Sequence, residues 1–147
     1  MSRLWDKGTA LDRRVLQFTA GEDHALDNRL IAYDVRASIA HAEMLRAVGL
    51  LSEDDLTAIR DGLNQLAAEH ADGRWAVTLD LEDGQTALET YLTQRIGEAG
   101  ARLHAGRSRN DQVLIALRLY LRDAVESLAE DARNLVGALD GLAQTQG

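Results

Sequence analysis

The chain has 147 residues, 46% of them hydrophobic, with a formal net charge of −8 and no cysteine. That length supports one domain with a real core, and the acidity argues against a nucleic-acid partner or an anionic membrane surface. Disulfides, thiolate metal sites and cysteine nucleophiles are excluded; His24, His41, His70 and His104 show no metal-ligand spacing, so neither metal nor cofactor is expected.

There is no proline, where average usage of about 5% would give roughly seven, and β-branched residues are sparse; the expected fold class is all-α. Residues 1–22, with Trp5, Gly8 and Gly21, lack sustained periodicity and are expected to form an extended arm. Over residues 24–48, Leu26, Leu30, Tyr33, Ala37, Ala40, Met44 and Val48 recur at spacings of three and four, and Gly49 stands where a helix-ending residue belongs. Ser52 then reads as an N-cap with Asp55 three residues on, an acidic first turn in Glu53 and Asp54, and a Leu51 to Leu56 staple. This second helix carries Leu56, Ile59, Leu63 and Leu66 as its stripe, runs to Ala71 and stops at Asp72-Gly73.

Trp75 to Val77 alternates over too few residues for a strand and reads as loop. A third helix is predicted over 83–96, with Leu88, Tyr91, Leu92 and Ile96 on one face, and 97–106 is the connection that follows. In the last helix, predicted over 111–144, Leu114, Leu121, Leu128, Leu135 and Leu142 repeat every seven residues. It would measure roughly 50 Å at about 1.5 Å per residue, more than the preceding helices can cover, so it needs partners beyond this chain. No apolar stretch is long enough to span a bilayer and the N-terminus lacks a signal-peptide pattern, so the expected location is cytoplasmic.

The run His104 to Gln112 carries the chemistry. Residues 99–110 hold Arg102, Arg107 and Arg109 and no acid, reversing the sign of the chain, and they lead into a helix start. Free N–H groups, the positive end of the helix dipole and forked guanidiniums together suit a dicarboxylate or a phosphate. The alternative is plain capping, with Ser108 and Asp111 as the box and both arginines in solvent. Glu82-Asp83-Gly84-Gln85 opens the third helix, where acids commonly complement the dipole. Ser38 lies mid-helix among small residues, a position that on its own fits close helix packing or a bond to the preceding turn.

His104-Ala105-Gly106-Arg107-Ser108-Arg109-Asn110-Asp111-Gln112-Val113 resembles the first signature region of the argininosuccinate lyase family. Three further stretches follow the family's order: Leu4-Trp5, Asp34 with Ala37-Ser38-Ile39-Ala40-His41-Ala42, and Glu82-Asp83 followed by Glu89. The resemblance implies a place in the aspartase/fumarase superfamily, whose members are helical homotetramers built around a central bundle, and cleavage of argininosuccinate to arginine and fumarate by anti elimination. Residues 23–110 would form the N-terminal helical domain with its substrate-binding loop, and 111–147 the start of the central bundle. The implied substrate-binding residues are Ser38, Ser108, Arg109 and Asn110, supported by Asp83, Gln85, His104 and Arg107.

Two departures stand out. The family usually has histidine where this chain has Gln85, and glutamine cannot titrate near neutral pH. The two later signature regions, which carry a histidine and a mobile-loop serine, have no counterpart, so the chain is expected to be an N-terminal segment. No residue in it is assigned as catalytic acid or base. Another succinyl-substrate lyase of the superfamily, or a non-catalytic helical oligomerisation module, are the alternatives.

Overall fold

A computed structural model describes residues 12–146, which hold seven α-helices, one 3-10 turn and no strand. The helices are α1 (Arg13–Ala20), α2 (Asp23–Asp27), α3 (Ile31–Ala47), α4 (Glu53–Ala71), α5 (Gly84–Ile96), α6 (Glu98–Arg102) and α7 (Arg109–Gln146); the 3-10 turn, Leu79–Leu81, precedes α5.

Every local signal agrees in α4. Ser52 Oγ accepts from the Asp55 N–H at 3.0 Å while Asp55 Oδ2 accepts from the Ser52 N–H at 3.2 Å, closing the predicted capping box. Leu51, Leu56, Ile59, Leu63 and Leu66 are all buried. At about 1.5–3 kcal/mol per large side chain, the four stripe residues from Leu56 on contribute roughly 6–12 kcal/mol as an upper estimate. They face Ile31, Val35, Ala42 and Leu45 of α3 and Ala87, Leu88, Tyr91 and Leu92 of α5 in one continuous core. Helix α6 packs so tightly on α5 that a Cβ on Gly100 would stand 2.8 Å from the Leu92 carbonyl carbon. That contact explains a glycine inside a helix.

Four expectations need correction. The predicted arm at 1–22 contains a helix: Asp12 caps α1 by accepting from the Arg14 N–H at 2.8 Å, and Leu16 and Ala20, one turn apart, are buried. The remainder of the arm, residues 1–11 with Trp5 and Gly8, lies outside the described residues. The single helix predicted over 24–48 is broken between α2 and α3 at Asn28. Its carboxamide donates to the carbonyls of His24 (2.7 Å) and Val77 (3.0 Å) and accepts from the Val77 N–H at 2.9 Å, and His70 Nε2 stands 3.2 Å from its oxygen.

The buried face of α3 shares only Ala37 with the predicted stripe. Ile31, Asp34, Val35, Ala37, Ser38, Ala42 and Leu45 are buried, while Leu26, Met44 and Val48 are exposed. Two polar residues on the inward side disguise it. The predicted 97–106 connection holds α6, a single turn and a half between Gly97 and Leu103.

Helix α7 begins two residues before its predicted start and runs 38 residues, roughly 57 Å. Its first turns lie on α3. Ala116 is fully buried, the Tyr120 ring meets Tyr33 edge-on at 5.7 Å and lies under the Arg29 guanidinium at 5.2 Å, and Arg36 reaches Asp123 at 3.7 Å. Residues 125–146 are exposed throughout, including Val125, Leu128, Leu135, Leu139 and Leu142. No helix of the described residues is long and apolar enough to cross a membrane.

Candidate functional site

The site gathers where α7 begins. Gly106, at φ 74°, turns the chain in a region that L side chains rarely adopt. Ser108 then caps the helix: its N–H donates to Asp111 Oδ2 at 2.8 Å, and its hydroxyl accepts from the Asp111 N–H at 3.4 Å. These bonds hold the Asp111 carboxyl below the ordinary carboxylate range. The capping alternative is therefore correct for Ser108 and incorrect for the arginines, which do not simply project into water.

Arg107 reaches inward to α3, where its Nη2 donates to Ser38 Oγ at 3.2 Å. Arg109 reaches to α5: its Nη1 pairs with Asp83 and its Nη2 donates to Thr86 Oγ1 at 2.7 Å. Asp83 is itself the α5 N-cap, accepting from the Thr86 N–H at 2.7 Å. The residue before it, Glu82, has φ 67° and ψ −63°, and the Asp83 N–H donates across it to the Leu81 carbonyl at 2.9 Å. That is a γ-turn of the rare positive-φ kind, and it stores strain directly beside the Arg109 partner. Asp27 Oδ2 accepts from the Gly84 N–H at 2.7 Å. The first donors of α5 are thus already spent on carboxylates, as the Ser108 N–H at the start of α7 is on Asp111.

Behind these groups sits a buried carboxylate. Asp34 and Ser38 are one helical turn apart on the inward face of α3, and Gln85 Nε2 donates to Asp34 Oδ2 at 2.7 Å. Burial pushes the Asp34 carboxyl up to about 6, against the Gln85 bond and the pull of Arg107. Burial also draws the Arg107 guanidinium down, against the attraction of Asp34, Asp111 and Glu89. His41 Nε2 is 2.9 Å from the Ala105 carbonyl oxygen and ties α3 to the turn; burial lowers its pKa. Gln85, Glu89, His104, Arg107 and Gln112 line a pocket of about 10 Å³, room for about one water.

A family of lyases matches residues 9–146. The chain belongs to that lyase family. Among its relatives are the argininosuccinate lyases of Sorangium cellulosum, 49% identical over 144 residues (98% of this chain, 34% of the relative), and Thermotoga neapolitana, 39% identical over 145 residues (99% and 36%). The argininosuccinate lyase of Laribacter hongkongensis is 47% identical over 130 residues, 88% of this chain and 28% of its own length. The chain spans about a third of the length of the curated relatives it matches.

In this lyase-family chain the residues singled out from sequence fall into three groups. Ser38 with Arg107, and Asp83 with Arg109, are brought into contact; Gln85 and His104 share the pocket wall with Arg107; Ser108 caps α7, and Asn110 is exposed on its first turn. Sequence reasoning gave no role to Asp34, His41 or Thr86. For Asp34 the available signal was an acid three residues after Ile31 and four before Ser38, on the side of α3 that also carries Leu45. Thr86 offered none, because its role follows from where Arg109 arrives, 23 residues later.

Proposed function

We propose that this chain supplies a carboxylate-binding segment of an argininosuccinate lyase, which cleaves argininosuccinate to arginine and fumarate. The observation that carries the proposal is the convergence of the two signature arginines on residues from two other helices, Arg107 on Ser38 and Arg109 on Asp83 and Thr86. The names of relatives 39–49% identical support the same substrate.

In an anti elimination a base removes the proton next to a carboxylate, the electron pair forms the carbon–carbon double bond of fumarate, and the carbon–nitrogen bond breaks. The departing guanidino nitrogen takes a proton from a general acid. Negative charge collects on the carboxylate beside the carbanion, so fixed donors aimed there lower the barrier. Arg109 spends two N–H groups on Asp83 and Thr86 and has five, leaving donors in a fixed orientation for a substrate carboxylate. Ser108 and Asn110 hold the succinyl half beside it. Ser38, fully buried, accepts from Arg107 through its oxygen and so fixes that guanidinium beside the amino-acid portion.

The acid and base come from other segments of the protein, and the exposed stripe of α7 packs into the helix bundle of a cytoplasmic homotetramer. The test mixes this chain with a polypeptide carrying the remaining two-thirds of the Sorangium cellulosum relative and follows fumarate. Release from argininosuccinate by the mixture, and loss of nearly all of it in Arg109→Ala with unchanged helix content, is the expected result. Associated pieces that stay silent, or that prefer adenylosuccinate or aspartate, overturn the proposal.

A further inference from the structure

We propose that Asp34 is a positioning residue for the cradle: buried between α5 and the Arg107 turn, it fixes which end of the Gln85 carboxamide faces the pocket and holds Arg107 against Ser38. Asp34 is 2% exposed and Gln85 6%. A carboxylate only accepts, so the Gln85 end that meets Asp34 Oδ2 at 2.7 Å must be its NH2 group. The amide oxygen is then the end left for the pocket that Gln85 shares with His104, Arg107 and Gln112. One turn along α3, the same helix face delivers Ser38 to Arg107. Asp34 therefore orients the acceptor on one wall of the cradle and attracts the donor on the other.

Two buried atoms in this cluster, Asp34 Oδ1 and Arg107 Nε, have no hydrogen-bond partner among the described residues. Leaving such atoms unpaired in a buried site is costly. The charges acting on Asp34 are the like-charged Asp27 at the end of α2 and Asp83 before α5, and the opposite charge of Arg107; Arg107 in turn acts on His41 and faces Asp111 and Glu89. When Asp34 is ionised it counters the Arg107 charge. When it is protonated, only Asp111 and Glu89 oppose that positive charge, and its pull on an incoming anion is stronger. Burial places the change at about pH 6, so the charge of the cradle follows the proton on Asp34.

The proposal rests on the carboxylate-binding reading for its purpose, but its test needs no substrate. The carboxyl carbon of Asp34, the side-chain NH2 of Gln85 and the Nε–H of Arg107 are followed by NMR in this chain as pH falls from about 8 to about 4, a span that contains both the raised and the ordinary carboxyl midpoints. All three are expected to move together with a midpoint of about 6. Asp34→Asn, which keeps an acceptor for Gln85, is expected to abolish the transition at Gln85 and Arg107, and His41→Gln and His104→Gln to leave it in place. An Asp34 midpoint near the ordinary value of about 4 overturns the proposal. So does a Gln85 and Arg107 transition that survives Asp34→Asn or vanishes with either histidine. Should Asp34→Asn fail to fold, the wild-type and histidine-variant titrations decide alone. A failure of the elimination assay would leave these resonances where they are, so the two tests remain separable.

Discussion

Replacing Asp34 with Asn should stabilise the fold at neutral pH and cease to do so in acid. The folded-state carboxyl titrates at about 6 against an ordinary 3.8, so the folded chain holds its proton where the unfolded chain has lost it. Stability from this group is complete below the unfolded value and declines as pH rises toward the folded one. The full difference is roughly 3 kcal/mol at about 1.36 kcal/mol per unit, and between about pH 4 and about pH 7.5 the loss amounts to roughly 2 kcal/mol. Asn accepts the same Gln85 bond without the charge. Urea unfolding of both proteins at the two pH values gives the stability difference between variant and wild type at each, and the change in that difference isolates residue 34 from every other titrating group. A change of about 2 kcal/mol in favour of the variant at the higher pH is expected. An equal difference at both pH values, or one that favours wild type at neutral pH, would refute the account of a carboxylate ionised at a cost.

The other expectations concern packing, strain and the free end of α7. Gly100→Ala places a methyl 2.8 Å from the Leu92 carbonyl carbon and 2.9 Å from the Thr93 nitrogen, backbone atoms that cannot step aside; a loss of about 1–3 kcal/mol by chemical denaturation is expected, and a neutral result would mean α6 does not hold that position. Glu82→Gly relieves the positive-φ turn and should raise stability by about 1 kcal/mol, with destabilisation counting against strain at that residue. In this chain on its own, amides of residues 125–146 should exchange far faster than those of 112–120, because an exposed helix end gains nothing from packing; uniform protection along α7 would show that a partner copy already covers it.

How much was legible in the sequence depends on how far away the deciding partner lies. Helix α4 was readable to the residue at both ends because its capping box, staple, stripe and stop all sit within one stretch of chain. The heptad leucines of α7 were equally plain. The break before α3 was not, since Asn28 interrupts the helix to serve Val77, 49 residues on. The arginine run suggested an anion site, but which arginine faces which helix depended on Ser38 and Asp83, 69 and 26 residues away. The inward face of α3 was missed for a related reason: Asp34 looks like a surface residue until Gln85 is there to receive it, and Ser38, which fits close packing, shows its polar partner only when Arg107 arrives.

Helix α7 joins the arginine cradle at its foot to the leucine stripe beyond residue 124 through uninterrupted turns. Such a rod carries angle as faithfully as distance. Adding or removing one residue between the two would rotate the stripe about 100° around the axis relative to Arg109 while lengthening or shortening the rod by only about 1.5 Å. The number of residues between foot and stripe is therefore a phase setting: whatever grips the leucines dictates the compass direction in which the cradle points, and a chain altered there could keep both features intact and still aim one of them the wrong way.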